Sequence, residues 1–463
     1  SAASDVYKRQ ASMAGKVTDA SNEPIIGATV QAVHQPSGSR YGTVTNVDGR
    51  YSIQGMRTGG PYRVEISYIG YQTVIYKDIT LQLGEVYNLN VEMSESSELL
   101  NEVIVTAAKT KFTAEKTGAT TNISSAQITQ LPTVNRSISD IARLSPYANG
   151  MSFAGGDGRS TNFTIDGANF NNNFGLSSNL PGGGNPISMD AIEEVQVVVA
   201  PFDVRQTNFI GGGINAITKS GTNTFRGTAY TYYRNQDMRG NRINGEDLGA
   251  RSDESKTTYG FTLGGPIIKN KLFFFVNYEK EKTPGEVIKY RAREDGEEAK
   301  GMVSRTLKSD MEKVYNHLKD KYGYDAGSYT SFPADEENTK ILARIDWNIT
   351  DRHRLSLRYN NTKNTAWNAP NGNSSDTGYR LNNTYRVGTQ SMAFANSMYS
   401  MDNKVQSWAA DLNSRFTDKI SNQLLFTYTN IEDMRGTNSS PFPFIDIMAG
   451  KDENGNQILE PYM

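Results

Sequence analysis

Between residues 341 and 349, Ile341, Ala343, Ile345, Trp347 and Ile349 alternate with Leu342, Arg344, Asp346 and Asn348, the pattern of a strand with one apolar and one mostly polar face. Leu355, Leu357 and Tyr359 repeat it against Arg354, Ser356, Arg358 and Asn360. In a soluble sandwich such an apolar face meets a second sheet; in a membrane barrel it meets lipid while the polar face lines the lumen. Connection lengths favour the barrel. Turns at 269–271, 350–352 and 418–420 are short, whereas the connections 236–256, 282–338 and 362–403 are long. Short on one side and long on the other, three times over, is how membrane barrels place their turns and loops. One long connection contains a surface helix around 311–318, and its His317 reads as a solvated side chain.

Upstream the rhythm differs. Residues 14–93 hold about seven short β-type runs separated by turn signals, among them Asp48-Gly49, whose glycine favours a tight hairpin. That spacing predicts a small β-sandwich. Residues 94–116 form a polar connector with one apolar island, and 117–222 read as a mixed α/β unit. In that unit Ser124 and Ser125 open one short helix, Ser137 opens a second, and strands follow at 162–167, 194–199 and 213–218. The barrel part is 223–463. The fold class is therefore mainly β: an N-terminal sandwich, a mixed α/β unit, which the resemblance described below implies is a plug domain, and strands of a transmembrane antiparallel barrel.

Composition narrows the functions. The 463 residues suffice for about three domains. With 48 basic and 50 acidic side chains and no dense basic block, a nucleic-acid partner is not indicated. Cysteine is absent, and His34, His317 and His353 lack ligand spacing, so no metal or other cofactor is expected. No apolar run reaches the ~18 residues of a membrane helix, which leaves a β-barrel open. The first 13 residues, beginning SAASDVYKRQ, show no signal-peptide pattern and read as non-native or unassigned. No nucleophile and base stand in a recognisable constellation, so an enzyme is not expected.

The stretch GINAITKS at 213–220 nearly matches a phosphate loop, but Thr218 stands where the second glycine belongs. A phosphate loop leads into a helix, whereas here the following residues alternate as a strand. Gly211, Gly212 and Gly213 instead permit a bend or a close backbone approach at the strand's entrance. The adjacent Glu193 and Glu194 point to opposite faces and read as solvated or wall-facing charges.

Two stretches resemble known families. NVDGRYSI followed by VEISYIGYQT resembles the carboxypeptidase regulatory-like domain, a sandwich without peptidase activity. SMDAIEEVQVVVAPFDVRQTNFIGGGINAITKSGTNTFRGTAY, preceded by TNFTIDGANF, resembles the end of the plug and first barrel strand of TonB-dependent outer-membrane receptors, the Oar-like group in particular. Together the resemblance spans nearly everything from Ala14 onward, in a domain order found among Bacteroidota.

That resemblance implies a receptor in the bacterial outer membrane that binds a scarce solute outside and imports it with energy from TonB and its inner-membrane complex. The sandwich and the TonB-capture segment would lie in the periplasm. Glu102, Val103, Ile104, Val105, Thr106 and Ala107 resemble that segment, the TonB box; as residues alone they equally suit a last sandwich strand or a linker. Phe170, Asn171 and Phe174 are ligand candidates at the plug apex, though polar turn chemistry explains them as well. Outer-membrane lipid and an extracellular solute are further expected partners. A surface lipoprotein is compatible with the family, without a residue that points to it. The alternative function is an Oar-like structural or adhesion protein that imports nothing. About seven barrel strands are countable against the roughly 22 of a plugged barrel, so the chain reads as an N-terminal fragment.

Overall fold

The computed structural model describes residues 10–95, 103–106, 119–133, 135–153, 155–171, 180–199, 212–238, 240, 242–247, 255–284, 290–370, 386–451, 453–458 and 460–463. Nine strands build the first unit: β1 (Ala11–Asp19), β2 (Thr29–His34), β3 (Ser39–Val44), β4 (Arg50–Met56), β5 (Gly59–Ser67), β6 (Val74–Leu81), β7 (Val86–Asn88), β8 (Val91–Met93) and β9 (Val103–Thr106). One sheet pairs β1 with β4, β7 and β8; the other runs β3-β2-β5-β6-β9. Alternation sets the faces. In β5, Tyr62, Val64 and Ile66 are fully buried while Arg63 and Glu65 pair outside at 2.8 Å. The buried set meets Met13, Val30 and Ile53 in one core. Gly49 takes the left-handed conformation expected of its turn, φ 70°. The expected hairpin is corrected, however: β3 and β4 lie in different sheets, so the turn carries the chain across the sandwich.

The middle unit comprises β10 (Ala119–Ser124), α1 (Ser125–Gln130), α2 (Ile138–Ala142), β11 (Ala148–Asn149), β12 (Ser152–Phe153), β13 (Asn162–Ile165), β14 (Ala168–Asn169), β15 (Ile192–Val199) and β16 (Gly212–Thr218). Five of its strands make a sheet in the order β10-β15-β16-β13-β14. The Ser124 hydroxyl and the Gln127 side chain cap α1 reciprocally, satisfying amides that a helix start leaves free. The GINAITKS near-match is a strand, as its alternation predicts.

The third unit is a meander of seven antiparallel strands: β17 (Arg226–Asn235), then, after the small hairpin β18 (Arg242–Ile243) and β19 (Glu246–Asp247), β20 (Ser255–Ile268) and β21 (Leu272–Thr283). The next connection holds β22 (Arg291–Arg293), β23 (Val303–Leu307) and α3 (Lys308–Tyr322); β24 (Glu336–Thr350), β25 (His353–Asn368), β26 (Tyr399–Arg415) and β27 (Ser421–Gly436) complete the sheet. Short turns join β20 to β21, β24 to β25 and β26 to β27, and Asn270 at φ 61° tightens the first. The long connections lie at the opposite end. There Met311, Met392 and Met398 share a small core with Trp367 and Phe394, which ties α3 to the loops around it.

The two faces of this sheet decide between sandwich and barrel. Phe273, Phe275, Asn277, Glu279, Lys340 and Leu342 are buried on one face, where Phe275 and Leu342 join the core of the middle unit. On the other face Leu424, Phe426 and Tyr428 are 62, 65 and 56% exposed, and Ile341, Ile345 and Trp347 lie open as well. Among the described residues no second sheet covers them. Tyr359, Trp408 and Tyr428 form an aromatic row across three strands, with ring centroids 5.2 and 5.6 Å apart. An apolar face turned outward with polar groups inward is the lipid-facing arrangement. The sheet is open: among the described residues β17 and β27 are its unpaired edges. None of the described helices is long and apolar enough to cross a membrane, which says nothing of strands.

Candidate functional site

The middle unit is fastened to the inner face of the seven-stranded sheet by buried charge. Asp166, at the β13–β14 turn with φ 47°, accepts hydrogen bonds from the Thr218 amide at 3.0 Å and hydroxyl at 2.7 Å. The same carboxylate faces two wall guanidiniums, Arg358 at 3.1 Å and Arg344 at 3.5 Å. Arg344 donates in turn to the Thr218 carbonyl at 2.8 Å and pairs with Asp346 at 2.9 Å. Nearer the long loops, Arg136 pairs with Asp190, stands 3.8 Å from Glu279 on β21, and stacks 3.8 Å over the Tyr232 ring. Glu279 also accepts from Ser188 at 2.7 Å, Tyr230 at 2.8 Å and Lys340 at 3.3 Å. Such charge-assisted contacts hold position firmly when every partner is present. Asn360 and Thr362 add neutral bonds to the Pro186 carbonyl, at 3.2 and 2.6 Å.

On the short-turn side the sandwich docks against both other units. Arg354 lies 3.7 Å over the Tyr41 ring, Asn223 donates to the Pro36 carbonyl at 2.7 Å, and Arg57 reaches Ser220. Leu83, just past β6, makes the most connected contact. Its amide donates to Glu194 Oε1 at 3.0 Å; its carbonyl accepts from Asn122 at 3.0 Å and Gln196 at 3.1 Å. Leu83 is fully buried there. Glu194 is therefore not the solvated or wall-facing charge its sequence suggested. The sandwich covers it, and burial pushes its carboxyl up to about 8. A cavity of about 610 Å³ remains where the three units meet, lined by Arg57, Asp166, Ser220, Arg344 and Arg358 among others.

The residues singled out from sequence fall in three places. Val103, Ile104, Val105 and Thr106 form β9, parallel to β6 at the edge of the sandwich; Glu102 and Ala107 lie outside the described residues. Phe170 is fully buried in the middle unit's core, edge-on to Phe163 at 6.3 Å, so in this structure it offers no surface to a solute. Asn171 braces the same turn: its Oδ1 accepts from the Phe163 amide at 2.6 Å and its Nδ2 donates to Asn162 at 2.9 Å. Phe174 and Gly211 lie outside the described residues. Gly212 and Gly213 open β16, and a Cβ on Gly212 would stand 2.7 Å from the Phe153 ring, a close approach that only glycine permits. His34 is buried with Nδ1 2.6 Å from Ser37, and burial lowers its pKa to about 3, so it is a neutral core group. Among the described residues no cluster of His, Asp and Glu has metal-binding geometry. Sequence reasoning missed Arg136, Asp166 and Leu83. Asp166-Gly167 in TIDGANF was the one available signal, an acid fixed at a left-handed turn.

Parts of the chain match known proteins. Residues 12–94 match the carboxypeptidase regulatory-like domain family and residues 217–289 the outer membrane beta barrel domain family. The chain is 25% identical over 387 residues to the TonB-dependent transporter Oar of Myxococcus xanthus, covering 78% of this chain and 34% of that protein. The chain is thus similar to a TonB-dependent transporter over most of its own length. Its place is the outer membrane, by the barrel domain and the kinship with Oar. A shorter match, 30% over 101 residues, joins this Oar-like chain to the TonB-dependent receptor SusC of Bacteroides thetaiotaomicron, covering 22% of the chain and 9% of that receptor. Among solved structures, the outer membrane transporter YddB of Escherichia coli is similar at 16% identity and a TM-score of 0.47, over 69% of this chain and 40% of that one. The Oar-like chain thus spans about a third of the length of Oar.

Proposed function

We propose that this Oar-like chain supplies the sandwich, the plug and the first barrel wall of a receptor that binds a solute on its long-loop side and imports it with energy from TonB. The observation that carries the proposal is the middle unit, seated on the polar inner face of a sheet whose other face is apolar and open. Charged contacts at Asp166 and Arg136 hold it there. A barrel wide enough to pass a solute needs such an obstruction, and one held by ionic contacts can be moved without unfolding the wall. The short-turn side then faces the periplasm, and the segment 102–107 is the strand that TonB captures by adding it to its own sheet.

The packed core of the long loops supports a second reading, a structural or adhesive surface protein, because it presents a shaped outer face instead of loose chain. One experiment separates the two. The full-length protein is offered to the periplasmic domain of TonB with residues 102–107 intact or replaced by Gly/Ser. Binding that disappears on replacement supports import; equal absence of binding in both forms removes TonB coupling and leaves adhesion.

A further inference from the structure

Two wall arginines stand opposite each other. Arg344 on β24 and Arg358 on β25 are direct register partners, an arrangement of like charges that destabilises a sheet unless something answers it. Arg344 is answered: Asp346 accepts two hydrogen bonds from its guanidinium, both at 2.9 Å. Arg358 is answered only in part. It is 4% exposed, its Nε faces Asp166 at 3.1 Å and its Nη2 donates to Ser407 at 3.0 Å, but its Nη1 has no hydrogen-bond partner among the described residues. Asp166 is shared, because the same carboxylate also accepts from Thr218 and faces Arg344. An unmet hydrogen bond on a buried charge is costly, and such a group calls for an acceptor.

Arg358 lines the cavity of about 610 Å³ between the three units, a volume suited to a small molecule. Two further arginines share that lining. Arg57, from the sandwich, donates to the Ser220 hydroxyl; Arg354 donates to the Arg40 carbonyl at 3.3 Å and stacks on the Tyr41 ring. These partners are neutral. Among the described residues, six basic side chains line the cavity against four acidic ones.

We infer that this cavity is an oxyanion site: it takes a phosphate group, free or carried on a small solute, with Arg358 and Arg57 as its principal donors. A guanidinium presents a planar fork of N–H groups that matches phosphate oxygens. The lining's excess of two positive charges is close to the charge that a phosphate monoester carries at neutral pH. Bound there, the anion gives Arg358 its missing acceptor and ties the sandwich to the wall. The inference stands apart from import, since the same chemistry would hold phosphate in a transporter or in a passive surface protein.

The test is calorimetric titration of the full-length protein in detergent with inorganic phosphate and, separately, with glycerol 3-phosphate. Ionic strength is held fixed, because salt alone screens charge. One saturable site is expected. Arg358→Lys keeps the charge and loses the fork, whereas Arg57→Gln leaves Asp166 and both wall arginines in place and serves even if the wall substitution disturbs folding. Each should weaken binding by about ten-fold or more, the scale of one charge-assisted contact. Tighter binding of the ester supports the site and assigns the group to a solute; equal or weaker binding of the ester supports the site and assigns it to the free ion. No saturable binding of either probe by the unsubstituted protein, or an affinity that neither substitution changes, overturns the inference.

Discussion

Glu194 makes the joint between sandwich and plug sensitive to pH. Its carboxyl, ordinarily near 4.5, is pushed up to about 8, chiefly by burial under the sandwich, with the carboxylates of Glu193 and Glu85 acting in the same direction and the Leu83 amide opposing. When the sandwich lifts away, the group returns to water and to its ordinary value. The docked state thus keeps a proton that the undocked state releases, so docking is strongest below pH 4.5, weakens as pH rises toward 8 and levels off above. At about 1.4 kcal/mol per pH unit, the loss between pH 5 and pH 8 is roughly 3–4 kcal/mol, a factor of a few hundred in the opening equilibrium. The Leu83 amide reports that opening directly, because its hydrogen bond to Glu194 must break before it exchanges. Its exchange rate in the full-length protein, divided by the intrinsic chemical rate at each pH, should rise by that factor. Glu194→Gln should hold the joint closed at pH 8 and flatten the profile. A change under about ten-fold in the unsubstituted protein, or an equal slope in the Gln variant, would refute the argument.

Substitutions at two other residues separate structural from recognition roles. Phe170→Ala should destabilise the plug by about 3–5 kcal/mol, since the ring is wholly enclosed; plug unfolding in urea measures it, and a wild-type midpoint would return Phe170 to the ligand-facing candidates. Asp166→Ala leaves Arg358 without its carboxylate in a buried site, at a cost of roughly 3–5 kcal/mol, whereas Asp166→Asn keeps an acceptor for Thr218 and should cost less. Protease sensitivity of the plug orders the three forms, and wild-type sensitivity of both variants would argue against the ion pairs as fasteners.

Much of the architecture was legible because it is written locally. Ile341, Ile345 and Trp347 alternate with polar neighbours, and the structure turns them outward as that period requires. Ser124 and Ser137 stand at the two helix starts that their capping chemistry predicts. What escaped depends on partners distant in sequence. Glu194 and Leu83 lie 111 residues apart, and nothing near either tells that one will cover the other. Phe170, among polar turn residues, looked like an exposed aromatic until Phe163 and the plug sheet closed around it. Asp48-Gly49 specified its turn correctly, but a turn does not say whether its two strands will share a sheet. The segment 103–106 is extended under either of its readings, and which sheet accepts it is a question of competition, not of propensity.

β6 is gripped twice, by β9 along its edge and by Asn122, Glu194 and Gln196 just beyond its end at Leu83. A sandwich held in this way is the arm of a lever whose fulcrum rests on β10 and β15 at one side of the plug sheet. Cutting it off would not merely shorten the chain; it would leave β9 with nothing to lean on and the plug with no handle but its covalent tether.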